Sequence, residues 1–214
     1  EEAIKQIDDN IKVVIVTGAG DKAFVAGADI KEFPQLTPDN GKELVLRGQY
    51  VFNELSRLTQ PVIAAIDGFT LGGGLELALA CDMRMATKNS TLGLPEVGLG
   101  IIPGYGGTQR LPRIVGIGKA MQLLFSGEHI GAEEGYRIGL VDEITDEDVL
   151  TLAKKWANTI AKRGPIAVQK AKQIMHEGIE MPLSDALTLE AETFAYMCET
   201  EDKVEGVQAF LQKR

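Results

Sequence analysis

The stretch from Pro61 to Ala86, PVIAAIDGFTLGGGLELALACDMRMA, decides how the fold is read. Val62 to Ile66 is a short, unbroken aliphatic run, the pattern of a strand buried on both faces. Asp67 and Gly68 then read as a turn, and Gly72, Gly73 and Gly74 open an apolar helix. KVVIV (12–16) predicts a second strand, and MRMAT (83–87) a third, weaker one. Between the first two, residues 41–58 place Leu44, Val45, Val51, Phe52, Leu55 and Leu58 at near-helical spacing, which predicts a crossover helix. Strand, helix and strand in that order imply a parallel sheet and an α/β fold.

Outside this stretch the composition changes along the chain. Of the 24 glycines, all but Gly164, Gly178 and Gly206 precede residue 140, so turns and short strands are expected first and helices afterwards. Helical patterns run over 147–163, 165–177, 183–197 and 201–212, with Pro165 and Pro182 as first-turn prolines. A core over 1–145 and a helical region over 146–214 is the expected division. Residues 33–41, with two prolines and a glycine, read as a mobile loop. The chain starts abruptly at EEAIKQIDD, as if inside an amphipathic helix, so a preceding N-terminal part is expected.

A chain of 214 residues, 44% of them hydrophobic, can fill a sizeable core. Its formal charge of −9 argues against a general nucleic-acid or anionic-membrane binder. Cys81 and Cys198 form no CxxC and have no histidine cluster beside them, so zinc is not indicated and a reduced compartment is expected. Neither a long apolar span nor a signal-peptide pattern is seen.

Two carboxylates carry the chemical signal. Glu76 is the one charge between Asp67 and Asp82, and Glu96 the one charge between Lys88 and Arg110. Leu75, Leu77, Ala78, Leu79 and Ala80 leave Glu76 almost no polar helix face, and a buried carboxylate needs a reason. Glu76 stands three residues after Gly73, which suggests a carboxylate leaning back over the glycine N–H groups. Those N–H groups, uncovered by side chains at a helix start, are suited to an oxyanion, although glycines also permit close strand–helix packing. Glu96 follows Pro95 in a loop-like setting. Burial raises the pKa of both acids toward the range useful for proton transfer, and two such groups flanking a water can remove one proton and deliver another.

Several ordered segments together resemble the crotonase, or enoyl-CoA hydratase, superfamily. They are KAFVAGADIKEF (22–33), residues 61–86 as quoted, TLGLPEVGLGIIPGYGGTQRLPRIVG (91–116), SGEHIGAEEGYRIGLVDEI (126–144) and TEDKVEGVQAFLQKR (200–214). The resemblance implies a spiral of ββα units with a helical C-terminal trimerisation region, as a homotrimer or a dimer of trimers. It implies reversible hydration of a 2-enoyl-CoA, with coenzyme A as part of the substrate and no separate cofactor. Ala28 and Gly73 would supply the oxyanion-hole N–H groups. Ala26, Ala28, Asp29, Ile30, Lys31 and Gly104 would line the substrate path. Glu76 would activate water and Glu96 would protonate Cα. A place in fatty acid β-oxidation follows, in a bacterial cytoplasm or a mitochondrial matrix. Both glutamates favour a hydratase, because isomerases, dehalogenases and decarboxylases of the superfamily commonly replace one of them; these are the nearest alternatives, since a glutamate pair does not exclude isomerase side activity, with a non-catalytic crotonase-like binding protein beside them.

Other residues are read more plainly. The glycines at 18, 20 and 27 fail the dinucleotide-binding spacing. His129 and His176 read as solvated or capping, Cys81 as a core thiol, and Trp156 as a helix-packing residue. Ser56, Ser90, Ser126 and Ser184 lie outside any G-x-S-x-G elbow.

Overall fold

The computed structural model describes every residue except Asp21, Asp29 and Arg214, together with the Glu32 side chain. The strands fall into two four-stranded sheets. The first holds β1 (Val14–Thr17), β3 (Val62–Ile66), β5 (Met83–Thr87) and β8 (Glu143–Thr145) in that order, all parallel. In the second, β2 (Ala23–Val25), β4 (Phe69–Leu71) and β6 (Thr91–Gly93) are parallel, and β7 (Ile130–Gly131) pairs antiparallel with β6.

The chain gives one strand to each sheet and then a helix, and repeats. β1 and β2 lead to α1 (Pro38–Ser56), and β3 and β4 lead to α2 (Gly73–Leu79). β5 and β6 lead through a 3-10 turn (Pro95–Leu99) to α3 (Gly107–Val115). This is the expected spiral of ββα units. It continues through α4 (Ile117–Ser126) and α5 (Ala132–Arg137) to α6 (Val149–Ala161), α7 (Pro165–Gly178), α8 (Leu183–Met197) and α9 (Glu201–Leu211).

β3 explains why its run is apolar without alternation. Val62, Ala64 and Ile66 turn into a core shared with Phe24, Leu75 and Leu92, between the sheets and α2. Ile63 and Ala65 turn the other way, toward Met85, Val149 and Ala153, where α6 covers the first sheet. A strand that is buried on both faces must be apolar at every position.

Four expectations shift. The first strand begins at Val14 rather than residue 12. The segment 33–41 is ordered as the end of a 3-10 turn (Ile30–Gln35) and the start of α1. Pro34 lies within the 3-10 turn, and Pro38 occupies a first-turn position of α1 where no N–H bond is lost. Thr37 and Asn40 cap each other reciprocally, with the Thr37 N–H reaching Asn40 Oδ1 at 2.6 Å. Pro182 is the N-cap of α8 rather than a first-turn residue. Near the start, the expected amphipathic helix is a 3-10 turn of three residues, Ile4–Gln6.

α7 is anchored by charge as well as by packing. The Lys172 ammonium is buried and donates to Asp82 Oδ2 at 2.7 Å and to the Gln60 carbonyl at 2.9 Å. His176, half-exposed as expected, lies 3.1 Å from Asp82 Oδ1. Trp156, read as a helix-packing residue, is instead exposed on α6, and its indole N–H donates to Glu143 Oε2 of β8.

Close packing is most demanding at Gly74, where a Cβ would run into the Val25 carbonyl. Gly118, by contrast, has open space around its missing side chain. Gly74→Ala is therefore expected to cost about 2 kcal/mol or more by forcing α2 away from β2. Gly118→Ala should be neutral or stabilising by up to about 1 kcal/mol. Thermal melts of the two variants check the contrast, and equal Tm values would refute it.

Candidate active site

α2 and the loops around it enclose a cavity of about 920 Å³, within the upper range of ligand-sized pockets. Leu44, Val45, Leu99, Ile101 and Ile102 make much of its wall apolar. Ala26, Ala28, Ile30, Gly73, Glu76 and Glu96 all face it, and so does Gly104. Lys31 is exposed on the 3-10 turn and is not part of the wall. Asp29 lies outside the described residues.

The three glycines divide the two roles that the sequence left open. Gly74 gives close packing against β2, as above. Gly72 takes φ +56°, left-handed for a side-chain-bearing residue, and turns the chain from β4 into α2. Gly73 and Ala28 both border the cavity, and neither N–H finds a hydrogen-bond acceptor among the described residues.

Glu76 is 1% exposed, which makes its carboxylate one of the most deeply buried polar groups of the core. Its carboxylate does not lean over the glycine N–H groups as expected. Oε1 reaches forward and accepts the N–H groups of Tyr105 and Gly107, each at 2.7 Å. Both lone pairs of Oε1 are thereby used, so Oε2 is the oxygen left for a ligand. Burial raises the Glu76 pKa above its usual 4.5, while the N–H groups of Gly107 and Tyr105, the Arg110 cation and the Gly106 N–H oppose the rise.

Glu96 is not in a loop but in the 3-10 turn Pro95–Leu99, which ends at Gly100 with φ +73°. Its Oε1 lies close to Gly72, where a Cβ would sit 3.1 Å away. Its Oε2 is buried and has no hydrogen-bond partner among the described residues. Burial is the main reason its pKa is pushed up to about 7, and the Glu76 charge adds to the rise. The two isolated carboxylates of the sequence therefore meet at one cavity. Near neutral pH Glu96 can hold a proton to give, and Glu76 has backbone N–H groups and a cation favouring its ionised form.

Three features were not legible in the sequence. Tyr105 and Gly107 serve Glu76 through backbone N–H groups, which leave no signature in residue type. Leu44 and Val45, read as helix-packing residues, line the cavity. His129, read as solvated or capping, is exposed but also forms part of the wall, with its ring against Gly93. Cys81 conforms to its reading as a core thiol: it is buried, and burial raises its pKa to about 12, which removes its reactivity. No group of metal-ligating side chains is found among the described residues, and no described helix is long and apolar enough to cross a membrane.

Paired carboxylates at an apolar cavity, beside open N–H donors, are equipment for acid–base chemistry on a carbonyl compound. The family model described as enoyl-CoA hydratase/isomerase matches residues 1–214, and the chain belongs to that family. It is 46% identical over 208 residues to a short-chain-enoyl-CoA hydratase of Clostridium acetobutylicum, covering 97% of this chain and 80% of the relative. It is 45% identical over 217 residues to a crotonyl-CoA hydratase of Syntrophomonas wolfei, covering 100% and 84%. The crystal structure of an enoyl-CoA hydratase from Bacillus anthracis superimposes with a TM-score of 0.95 at 44% identity, over 100% of this chain and 84% of that one.

Proposed function

We propose that the protein is an enoyl-CoA hydratase, adding water reversibly across the 2,3 double bond of a 2-enoyl-CoA to give a 3-hydroxyacyl-CoA. The observation that carries this reading is the meeting of Glu76 and Glu96 at one apolar cavity. Family membership and the names of the similar hydratases support it. Water held by the free oxygen of Glu76 attacks Cβ and leaves its proton on that carboxylate. Negative charge moves to the thioester oxygen, which the N–H groups of Ala28 and Gly73 stabilise. The proton of Glu96 then goes to Cα, and the electron pair of the enolate forms the new C–H bond. The sum is one water added, with one proton gained by Glu76 and one lost by Glu96, and proton exchange restores the pair. Coenzyme A enters as part of the substrate, with Ile30 and Gly104 along its acyl path.

An isomerase moves a proton between two carbons and can do so with one acid–base group. The second carboxylate, buried at a cost, has no task in that scheme. A non-catalytic binding role would leave both raised carboxylates unexplained.

With crotonyl-CoA, the loss of conjugated-thioester absorbance should be rapid in wild type and at least about a hundredfold slower in Glu76→Gln and in Glu96→Gln. Near-wild-type rates in either folded variant, or a wild type inert toward every 2-enoyl chain length, would sink the reading. kcat/KM should be bell-shaped in pH. It rises as Glu76 ionises, above the usual 4.5, and falls through about 7 as Glu96 loses its proton.

The same proposal includes a homotrimer or a dimer of trimers. Leu183 and Phe194 of α8 and Phe210 of α9 are 74%, 72% and 83% exposed, an apolar surface of the kind that association covers. Light scattering should return three or six chain masses, and a stable monomer at micromolar concentration would contradict it.

A further inference from the structure

The backbone that serves Glu76 is itself held from behind. The peptide unit joining Gly104 to Tyr105 gives its N–H to Glu76 Oε1 at 2.7 Å, and its carbonyl accepts Gln49 Nε2 of α1 at 2.8 Å. The next carbonyl, of Tyr105, accepts Arg110 Nη1 at 2.9 Å. The other arm of that guanidinium, Nη2, donates to Asn53 Oδ1 of α1 at 2.6 Å. Gly106 takes φ +112°, and a Cβ there would collide with Arg110 Nη1, so the bare glycine is what lets the guanidinium reach the Tyr105 carbonyl. The Tyr105 ring completes the brace, standing edge-on to Phe52 with centroids 5.6 Å apart.

The geometry points to Arg110 as a positioning residue for Glu76: its planar fork ties α1 to the 104–107 backbone in the arrangement that brings both N–H donors to Oε1. This rests on the hydratase reading of Glu76. Arg110 is half-buried and is not part of the cavity wall, so it acts through the loop rather than on the substrate. Its charge also favours the ionised carboxylate, opposing the burial that raises the Glu76 pKa. The charges near Glu76 are few among the described residues. α3 contributes Arg110 and the 3-10 turn contributes Glu96, the shared cavity wall also carries Lys42 of α1, Tyr105 and His129, β2 and β4 carry no titratable side chain, and α1 presents the neutral Gln49 and Asn53 to the 104–110 segment. A lysine at position 110 would keep the charge but could not bond both partners with one planar fork.

The test uses the full chain with crotonyl-CoA. Arg110→Met should lower kcat roughly tenfold to a hundredfold with KM changed less than about threefold. It should also move the acid limb of kcat/KM to higher pH, because an ionised Glu76 loses its nearby cation. Arg110→Lys should keep the limb near its wild-type position while recovering only part of kcat. A merely structural role would lower Tm without moving the limb. Folded Arg110→Met with wild-type kcat and an unmoved limb overturns the inference. Should Arg110→Met not fold, Arg110→Lys decides: reduced kcat at unchanged KM supports positioning, and full kcat overturns it. If wild type hydrates no 2-enoyl-CoA, the hydratase reading fails separately. Positioning is then read from the carboxyl 13C titration of Glu76 in the ligand-free protein, where an identical Glu76 pKa in wild type and the folded Arg110 variant overturns it.

Discussion

A carboxylate with 1% of its surface exposed must be compensated where it stands, and Glu76 is compensated by two N–H groups at 2.7 Å on a single oxygen. Much of the local structure follows from that constraint. The loop 104–107 needs glycines to offer two donors to one oxygen, and it needs α1 and Arg110 behind it to stay in place. α2 must approach β2 closely to aim Glu76 inward, which excludes a side chain at Gly74. With Oε1 committed to the backbone, Oε2 remains for chemistry. Glu96 receives no such compensation at its buried Oε2, and its pKa rises accordingly. The two acids thus differ through their surroundings rather than their type, which suits one to accept a proton and the other to donate it.

The readability of the sequence tracked the burial of each segment. β3 was legible because a strand covered on both faces leaves an unbroken apolar run, β5 less so because Arg84 interrupts it, and the crossover helix because Leu55 and its neighbours repeat at helical spacing. The second sheet was not legible strand by strand, since β2, β4 and β6 are three residues long and give periodicity too little length to register. The segment 33–41 misled because proline and glycine content reads as loop, whereas Pro38 sits where a helix accepts proline and Thr37 and Asn40 close the cap. In the site, Glu76 and Glu96 were visible because a lone charge in apolar surroundings is improbable without a purpose. The backbone partners of Glu76 at Tyr105 and Gly107 were invisible because every non-proline residue carries the same N–H. Glu76 was expected over its own helix start from local spacing alone, whereas its donors came from 29 and 31 residues downstream.

The same burial sets a cost on stability. Glu96 has a folded-state pKa raised to about 7 from the usual 4.5, so its stabilising contribution is complete below 4.5 and is lost as pH rises through about 7. A fold that keeps such a group near neutrality gives up some stability for a proton held ready, the usual compromise of active sites. What the chemistry of the site depends on is that Glu96 is raised by its burial, with the Glu76 charge adding to the rise. Its most direct test is the carboxyl 13C titration of Glu96 in the ligand-free protein, compared between wild type and Glu76→Gln. A midpoint near 7 is expected in wild type and a lower one in the variant, where the neighbouring negative charge is gone. A wild-type midpoint at the ordinary 4.5 would contradict it.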